Sequence, residues 1–318
     1  MQGVFRDAAG QRCAGLVTLP MAGLGSRATF VRDQNAAAEQ LAVLPTDRTK
    51  ARRAAALAVE ECARQRREPS CGGVLRLTGD VPVGLGMGSS TSDVIAAIRA
   101  VAGSYGLSLG PATVARLAVR AELACDPLML DDRPVLFAQR EGRVLEVLGP
   151  ALPDLVIVGC ALGGGAPVDT LSLPVRVHDD HDVRAYERLR TLLRRAVATG
   201  DAVLLGEVAT ASAWRGQQIL CHPEFETLAE ISRRVGATGV QMAHSGAVAG
   251  LIFDPAAPGL EHRVRTCVRA LDSNGIPATR IFTTFPTSKE LRNGPAHRGV
   301  DRPAGPRTSR RPTRLPSL

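Results

Sequence analysis

Lysine is almost absent from this chain of 318 residues, which has one at position 50 and another at position 289. A Walker A loop has the form G-x-x-x-x-G-K-[ST] and needs a lysine beside its last glycine. No lysine lies between the two positions, where the densest glycine-rich stretch of the chain is found. The shortage therefore excludes a phosphate site of the Walker A class.

Paired cysteines and long apolar runs are also missing. The seven cysteines occur singly, without a C-x-x-C pair, which is typical of reduced thiols rather than of a zinc site or a disulfide framework. No apolar run approaches the roughly 20 residues that a transmembrane helix needs, and the opening M-Q-G-V-F-R-D is not a secretory signal. We therefore expect a soluble, cytoplasmic protein.

Positive charge is concentrated at the C-terminus. Residues 286–318 contain eight lysines and arginines and two acidic residues, so six of the eight net positive charges lie there. The segment is rich in proline and poor in large apolar residues, and it cannot bury enough surface to offset its ordering entropy. We predict a basic, disordered tail that is a solvated appendage rather than an arm for an acidic partner or nucleic acid.

The stretch of residues 81–93 concentrates small residues directly before a predicted helix. Its sequence is V-P-V-G-L-G-M-G-S-S-T-S-D, and apolar residues recur at helical spacing after it. Glycines allow positive φ and let backbone amides approach a ligand, and the free N–H groups at a helix N-terminus favour an anion. The stretch therefore predicts a polyphosphate site.

A dinucleotide-binding fingerprint is the other glycine-rich candidate, and its spacing does not fit. That fingerprint places its glycines directly after a strand and an acidic residue about 20 residues further on. Here Asp80, Val81 and Pro82 separate the predicted strand from the glycines, and residues 100–110 contain no acid. The sequence therefore disfavours a Rossmann site.

Strands and helices alternate irregularly along the chain, which is typical of an α+β fold. The helix that begins near Thr46 has Thr46 or Asp47 as its predicted N-cap. The apolar patterns predict strands at 13–21, 26–31, 73–80, 134–139, 143–148, 155–162 and 279–285, a pair of strands within 239–254, and helices at 46–63, 90–105, 111–123, 182–199, 201–215, 224–235 and 260–274.

The segment from Pro82 to Thr91 resembles the phosphate loop P-x-x-x-G-L-G-S-S-[AT] of the GHMP kinase superfamily, with G-L-G-M-G-S-S replacing G-L-G-S-S. Within that superfamily it is most similar to the L-threonine kinases linked to propanediol utilisation and cobalamin side-chain synthesis. Three further segments, A-E-L-A-C-D-P-L-M around Glu122, V-L-F-A-Q-R-E-G at Val135 and Q-M-A-H-S-G-A-V-A-G-L from Gln241, resemble the second motif, the hairpin after it and the third motif.

The resemblance covers roughly residues 1–285 and implies a two-domain fold. Residues 1–152 would form a domain like ribosomal protein S5 domain 2, and residues 153–285 a ferredoxin-like domain, with ATP between them. Such kinases open with a strand of the type P-A-S-C-G-E-L-x-Q-G, and Met1, Gln2 and Gly3 match only its end. The first strand of the family is therefore expected to be missing: either the start of the sequence lies too far downstream, or the protein lacks an edge of its sheet and part of the substrate site.

The resemblance also implies an activity. It implies a kinase that transfers the γ-phosphoryl group of ATP, with Mg²⁺, to a hydroxyl of L-threonine or a related hydroxylated amino acid. A truncated or non-catalytic nucleotide-binding homologue, and an ATP-dependent decarboxylase of the same superfamily, stay open as alternatives. The partner expected is a small molecule, without a membrane or nucleic acid.

Site residues follow from the same resemblance. The loop residues implied to contact ATP are Pro82, Gly84, Leu85, Gly86, Met87, Gly88, Ser89, Ser90 and Thr91. Mg²⁺ takes hard oxygen ligands, and Ser90, or its neighbour Ser89, with Glu122 would supply them. A helix N-cap and a solvated acid are the structural alternatives for these residues.

Five more residues are candidates for contact with the acceptor. Asp126 would take the hydroxyl proton or hold an amine, or else cap the turn before its proline. Asp93 would contact an amine or have only a structural role. The third motif contributes His244, Ser245 and Gly246, with a structural histidine as the alternative for His244.

Overall fold

The computed structural model describes residues 1–79, 88–131, 133–165, 178–218, 221–243 and 248–286. The strands in these ranges are β1 (Gln2–Arg6), β2 (Arg12–Leu16), β3 (Ser26–Asp33), β4 (Leu41–Leu44), β5 (Gly72–Gly79), β6 (Val135–Ala138), β7 (Arg143–Val147), β8 (Val156–Ala161), β9 (Gly239–Met242), β10 (Val248–Phe253) and β11 (Ala278–Thr283). The helices are α1 (Thr49–Arg66), α2 (Ser89–Ser104), α3 (Pro111–Glu122), α4 (Asp180–Thr199), α5 (Ala202–Gly216), α6 (Phe225–Val235) and α7 (Leu260–Ser273). The mixture of helices and mainly antiparallel sheets confirms the predicted α+β class.

Small residues hold the first three helices close together. Helix α1 buries Ala51, Ala54, Ala55 and Ala58, which recur at helical spacing on one face. Because alanine side chains are short, α2 and α3 approach this face closely, and a sheet of strand order β3-β5-β4 completes the layer. This packing fixes the start of α2, where the phosphate loop ends.

Helix α1 begins later than predicted, so the predicted N-caps Thr46 and Asp47 were wrong. Arg48 precedes the helix, and no side chain caps it. The Asp47 carboxylate instead pairs with the Arg48 guanidinium at 2.9 Å. A turn takes the place of the cap, because the N–H of Thr49 donates to the carbonyl of Asp47 at 2.9 Å.

A second sheet, of order β1-β2-β6-β7, is antiparallel throughout and contains the predicted hairpin β6–β7. Strand β1 is at its edge and is covered by α4 and α5. The N–H of Gln2 donates to Oγ of Ser212 at 3.2 Å, and the N–H of Arg6 donates to a carboxylate oxygen of Glu187 at 2.9 Å. The edge strand is therefore bonded to both helices through its backbone.

The C-terminal half contains a sheet of order β11-β8-β10-β9, packed against α5, α6 and α7. Helix α5 lies unusually close to β9 because both contribute a glycine at the crossing. A Cβ on Gly206 would overlap the backbone of Thr238, and one on Gly239 would overlap the backbone of Gly206. This close crossing sets the position of β9, which leads into the third motif.

The two halves share one apolar cluster. Phe5 of β1 packs on Tyr186 of α4 with ring centroids 5.8 Å apart, and both are buried. The division into domains 1–152 and 153–285 stays a prediction, as does the expectation that the first strand of the family is missing. Residues 287–318, nearly all of the predicted tail, lie outside the described residues. Among the described helices none is long and apolar enough to cross a membrane.

Candidate active site

The phosphate loop enters the described structure at Gly88, directly before α2. Gly88 has φ of +76°, a left-handed conformation that glycine adopts without strain, and within the described part of the chain no side chain caps the helix here. The first turn of α2 therefore keeps backbone N–H groups available for an anion. Of the loop residues predicted to contact ATP, Pro82, Gly84, Leu85, Gly86 and Met87 lie outside the described residues.

The two residues predicted to bind the metal are in contact. Glu122 is the last residue of α3, and its side chain is buried under the first turn of α2. The Ser90 hydroxyl donates to Oε2 of Glu122 at 2.7 Å, and the Thr91 hydroxyl donates to Oε1 at 2.7 Å. The predicted loop residue Thr91 thus has its hydroxyl on the acid, and Ser89 is buried beside it.

Burial raises the pKa of Glu122 above the usual carboxyl range. The hydrogen bonds from Ser90 and Thr91 and the positive charge of Lys50 lower it again, but only in part. A cation beside the carboxylate would stabilise its charged form. Lys50 was not among the sequence candidates, because it lies at the start of α1 and only the fold relates it to α3.

The donor set fits Mg²⁺. A serine hydroxyl and a carboxylate are hard oxygen ligands, which is the type that Mg²⁺ prefers. Ser90 Oγ donates to Glu122 Oε2 at 2.7 Å, so these two oxygen atoms lie side by side at the start of α2.

Asp126 lies close to Gly88, since a Cβ on Gly88 would be 3.3 Å from Oδ2 of Asp126. Leu123, the residue after α3, has φ of +70°, and the reversed chain brings Asp126 back toward the start of α2. The Thr18 hydroxyl donates to Oδ1 of Asp126 at 3.3 Å, and the Asp126 N–H donates to Oγ1 of Thr91 at 3.4 Å. Burial raises the pKa of Asp126, and the bond from Thr18 opposes this.

Asp93 has protein partners for both carboxylate oxygens. The Ser26 hydroxyl donates to one oxygen at 2.5 Å, and Nε of Arg48 lies 3.1 Å from the other. The residue is buried and ties α2 to β3 and to the start of α1. These contacts favour its structural alternative over contact with a substrate amine.

The third motif is described only at its ends. His244, Ser245 and Gly246 lie outside the described residues. Their flanking residues, from Gln241 to Ala243 and at Val248, line the cavity described next. Strands β9 and β10 pair antiparallel around the motif, which confirms the strand pair predicted there.

A cavity of about 1150 Å³ lies between the two halves of the chain. Its walls include Thr18, Gly88, Asp126, Gln139, Ser212 and Gln241. Three arginines, Arg27, Arg99 and Arg140, also line it. The cavity is therefore lined both by Asp126, the predicted proton acceptor, and by cationic side chains that suit an anionic ligand.

Sequence reasoning missed Thr18, Gln139 and Arg48. Thr18 follows β2 in a segment without regular structure, and no motif includes it. Gln139 was quoted only as part of a hairpin segment. The positions of Thr18 and Gln139 in the cavity wall depend on how the strands pair, and the contact of Arg48 with Asp93 depends on how α1 packs near α2, which no local pattern reveals.

Comparison with known proteins identifies the family. The model of the GHMP kinases N terminal domain matches residues 48–130, and the model of the GHMP kinases C terminal region matches residues 192–275, together more than half of the chain. The first match contains Ser90, Glu122 and Asp126, and the second contains Gln241.

Two curated relatives and one solved structure are similar to the chain. The L-threonine kinase of Salmonella typhimurium is 30% identical over 185 residues, 55% of this chain and 57% of that protein. The homoserine kinase of Moorella thermoacetica is 28% identical over 182 residues, 54% of this chain and 59% of that protein. The matched part of the chain thus spans less than two thirds of the length of these relatives.

The solved structure is Streptococcus pneumoniae phosphomevalonate kinase in complex with phosphomevalonate and AMPPNP. It aligns with a TM-score of 0.59 at 14% identity, over 81% of this chain and 90% of the other, and shows a shared fold. With both domain models matched in chain order, and with this fold, the chain belongs to the GHMP kinase family.

Proposed function

We propose that the protein transfers the γ-phosphoryl group of ATP to the hydroxyl of L-threonine or a related hydroxylated amino acid. The contact between Ser90 and Glu122, with Asp126 close to Gly88, carries the proposal. These groups surround the start of α2, where an anion is stabilised by free N–H groups. Curated relatives named as kinases of L-threonine and homoserine support the acceptor class.

Ser90 and Glu122 would hold Mg²⁺ at this end of the helix. When bound, the ion neutralises charge on the phosphate oxygens during transfer. The hydroxyls of Ser90 and Thr91 orient the Glu122 carboxylate through its two oxygens. The helix N-terminus and the glycine loop would bind the phosphates through backbone N–H groups.

Asp126 would act on the acceptor. The acceptor oxygen forms a bond to the γ-phosphorus, the bond from that phosphorus to the β–γ bridging oxygen breaks, and ADP leaves. The hydroxyl proton passes to the Asp126 carboxylate, which is placed by the Thr18 hydroxyl. A carboxyl whose pKa is raised by burial is a better proton acceptor than one in water.

A substrate panel with Mg-ATP tests the proposal. L-Threonine, L-homoserine, L-serine and phosphomevalonate are each incubated with the protein, and the products are followed by ³¹P NMR. We expect a phosphate ester of a hydroxylated amino acid together with ADP. Inorganic phosphate with CO₂ from a carboxylated acceptor would instead indicate a decarboxylase, and ester formation with none of the hydroxylated amino acids would refute the proposal.

A further inference from the structure

Gln139 is a buried amide in the wall of the cavity. It follows the last residue of β6, and only 4% of it is exposed. Its amide oxygen has no hydrogen-bond partner among the residues that the structure describes, although an amide oxygen accepts hydrogen bonds strongly. A buried acceptor without a donor is unfavourable, and because Gln139 lines the cavity, a ligand bound there would supply the donor once the amide turns toward it.

A backbone hydrogen bond holds Gln139 beside the segment that contains Asp126. The N–H of Cys125 donates to the Gln139 carbonyl at 3.0 Å, and Asp126 is the next residue after Cys125. Gln139 and Asp126 both line the same cavity. The last torsion of a glutamine side chain is soft, so the amide oxygen can turn toward a ligand while the rest of the side chain stays in place.

We propose, on the basis of the function proposed above, that Gln139 binds the α-ammonium group of the acceptor amino acid through its amide oxygen. An ammonium group brings three N–H donors to an atom that has none, whereas a carboxylate has no hydrogen to offer. Arg140, the next residue, also lines the cavity, and its guanidinium is of the type that suits the acceptor carboxylate. Asp126 is then free to accept the hydroxyl proton.

The assignment makes Gln139 a determinant of specificity. An acceptor with a hydroxyl and a carboxylate but no ammonium group would leave the amide oxygen unpaired. Sites that bind a polar group of the substrate reject analogues that lack it, because the partner in the site is then left unsatisfied. The protein should therefore prefer hydroxylated amino acids to hydroxy acids of the same size.

The test compares L-threonine with 3-hydroxybutanoate, which lacks the ammonium group, in wild-type protein, Gln139→Met and Gln139→Glu. Methionine has a similar shape without the amide, and glutamate keeps an oxygen at the same position. We expect Gln139→Met to raise KM for L-threonine at least about tenfold, with KM for ATP and kcat little changed. KM for 3-hydroxybutanoate should not rise, and Gln139→Glu should bind L-threonine at least as well as the wild type.

Thermal unfolding separates this role from a structural one. Gln139→Met removes an unpaired buried oxygen, so the unliganded variant should unfold at the same temperature as the wild type or higher. An equal loss for both acceptors, or no loss for L-threonine, would overturn the proposal.

Calorimetric titration with L-threonine in the absence of ATP distinguishes the two proposals. Binding that weakens in Gln139→Met supports the role of Gln139 even if the substrate panel yields no phosphate ester. Turnover of L-threonine with unchanged binding in Gln139→Met overturns this role alone. Failure of the wild-type protein to bind any hydroxylated amino acid overturns it as well.

Discussion

The Ser90 hydroxyl donates a 2.7 Å hydrogen bond to Oε2 of Glu122, which lies 32 residues further along the chain. The contact joins the first turn of one helix to the last residue of another and places two hard oxygen atoms side by side. Thr91 makes an equal bond to the other carboxylate oxygen. In the proposed site, Ser90 is the metal ligand, and Thr91 supports the Glu122 carboxylate.

Glu122→Gln should lower kcat/KM by at least about 100-fold, which corresponds to about 2.7 kcal/mol of transition-state stabilisation. The amide keeps the shape and loses the charge that would hold Mg²⁺. The Mg²⁺ concentration that gives half-maximal rate should rise in parallel. Steady-state kinetics over a Mg²⁺ titration measures both, and an unchanged Mg²⁺ requirement would remove Glu122 from the metal site.

Ser90→Ala and Thr91→Val form a matched pair that separates ligand from support. Each removes one hydroxyl that donates to Glu122 at 2.7 Å. We expect Ser90→Ala to raise the Mg²⁺ requirement strongly, and Thr91→Val to lower kcat/KM by less than about tenfold. The same kinetic titration applies, and a larger effect for Thr91→Val would exchange the two roles.

Asp126→Asn should lower kcat by at least about 100-fold, within the range of general-base catalysis. A base accepts a proton only when ionised, so the rate should rise as pH passes through the Asp126 pKa. Because burial raises that pKa, the rise should lie above the ordinary value of about 3.9. The pH–rate profile of the variant should lack this rise; a variant with full turnover and the same profile would exclude Asp126 as the base.

Thr18→Val tests the same carboxyl without removing it. The Thr18 hydroxyl lowers the pKa of Asp126 by donating to it at 3.3 Å. Its loss should move the rise in rate to higher pH, while the rate at high pH changes little. A shift to lower pH would contradict the arrangement of these two residues.

The phosphate loop was predictable because its small residues follow one another directly before α2. Glu122 was predicted from the resemblance of its segment to the second motif of the family, and the fold places Ser90 against it. Tertiary contacts could not be predicted in this way. The pairing of Asp93 with Arg48 joins α2 to the residue before α1, and the Thr18 contact to Asp126 spans 108 positions.

Gly88→Ala should impair turnover more than stability. The left-handed backbone at φ of +76° costs a side chain about 1–2 kcal/mol, and the new Cβ would lie 3.3 Å from Oδ2 of Asp126. Gly10→Ala is the matched control, since its φ is +77° and its Cβ would meet nothing within 4 Å. Urea unfolding should show similar losses for both, and only Gly88→Ala should lose kcat. Equal kcat in the two variants would contradict the contact with Asp126.

Asp93→Asn should lower the free energy of unfolding by about 2 kcal/mol, less than a fully buried ion pair loses, because Arg48 is partly exposed. The kcat of the folded variant should stay within about threefold of the wild type, since both oxygens of Asp93 have protein partners. Chemical denaturation and kinetics on the same sample measure the two. A collapse of kcat with unchanged stability would instead assign Asp93 to the acceptor.

The stability of the wild type relative to Glu122→Gln should fall as pH rises, in buffer without Mg²⁺ or nucleotide. Burial raises the pKa of Glu122 in the folded protein above its unfolded value of about 4.3. The contribution of the protonated acid is therefore fully present below pH of about 4.3 and is lost as pH rises through the folded pKa. Urea unfolding of both proteins between pH of about 4 and 8 measures the difference between their free energies of unfolding. Because glutamine does not titrate, the pH dependence of this difference comes from Glu122.

Mg²⁺ with ATP should reduce the loss of stability with rising pH, since a cation beside Glu122 stabilises the ionised form. If the wild type instead became more stable relative to Glu122→Gln as pH rose in the absence of ligands, the folded protein would favour the charged carboxylate without any cation.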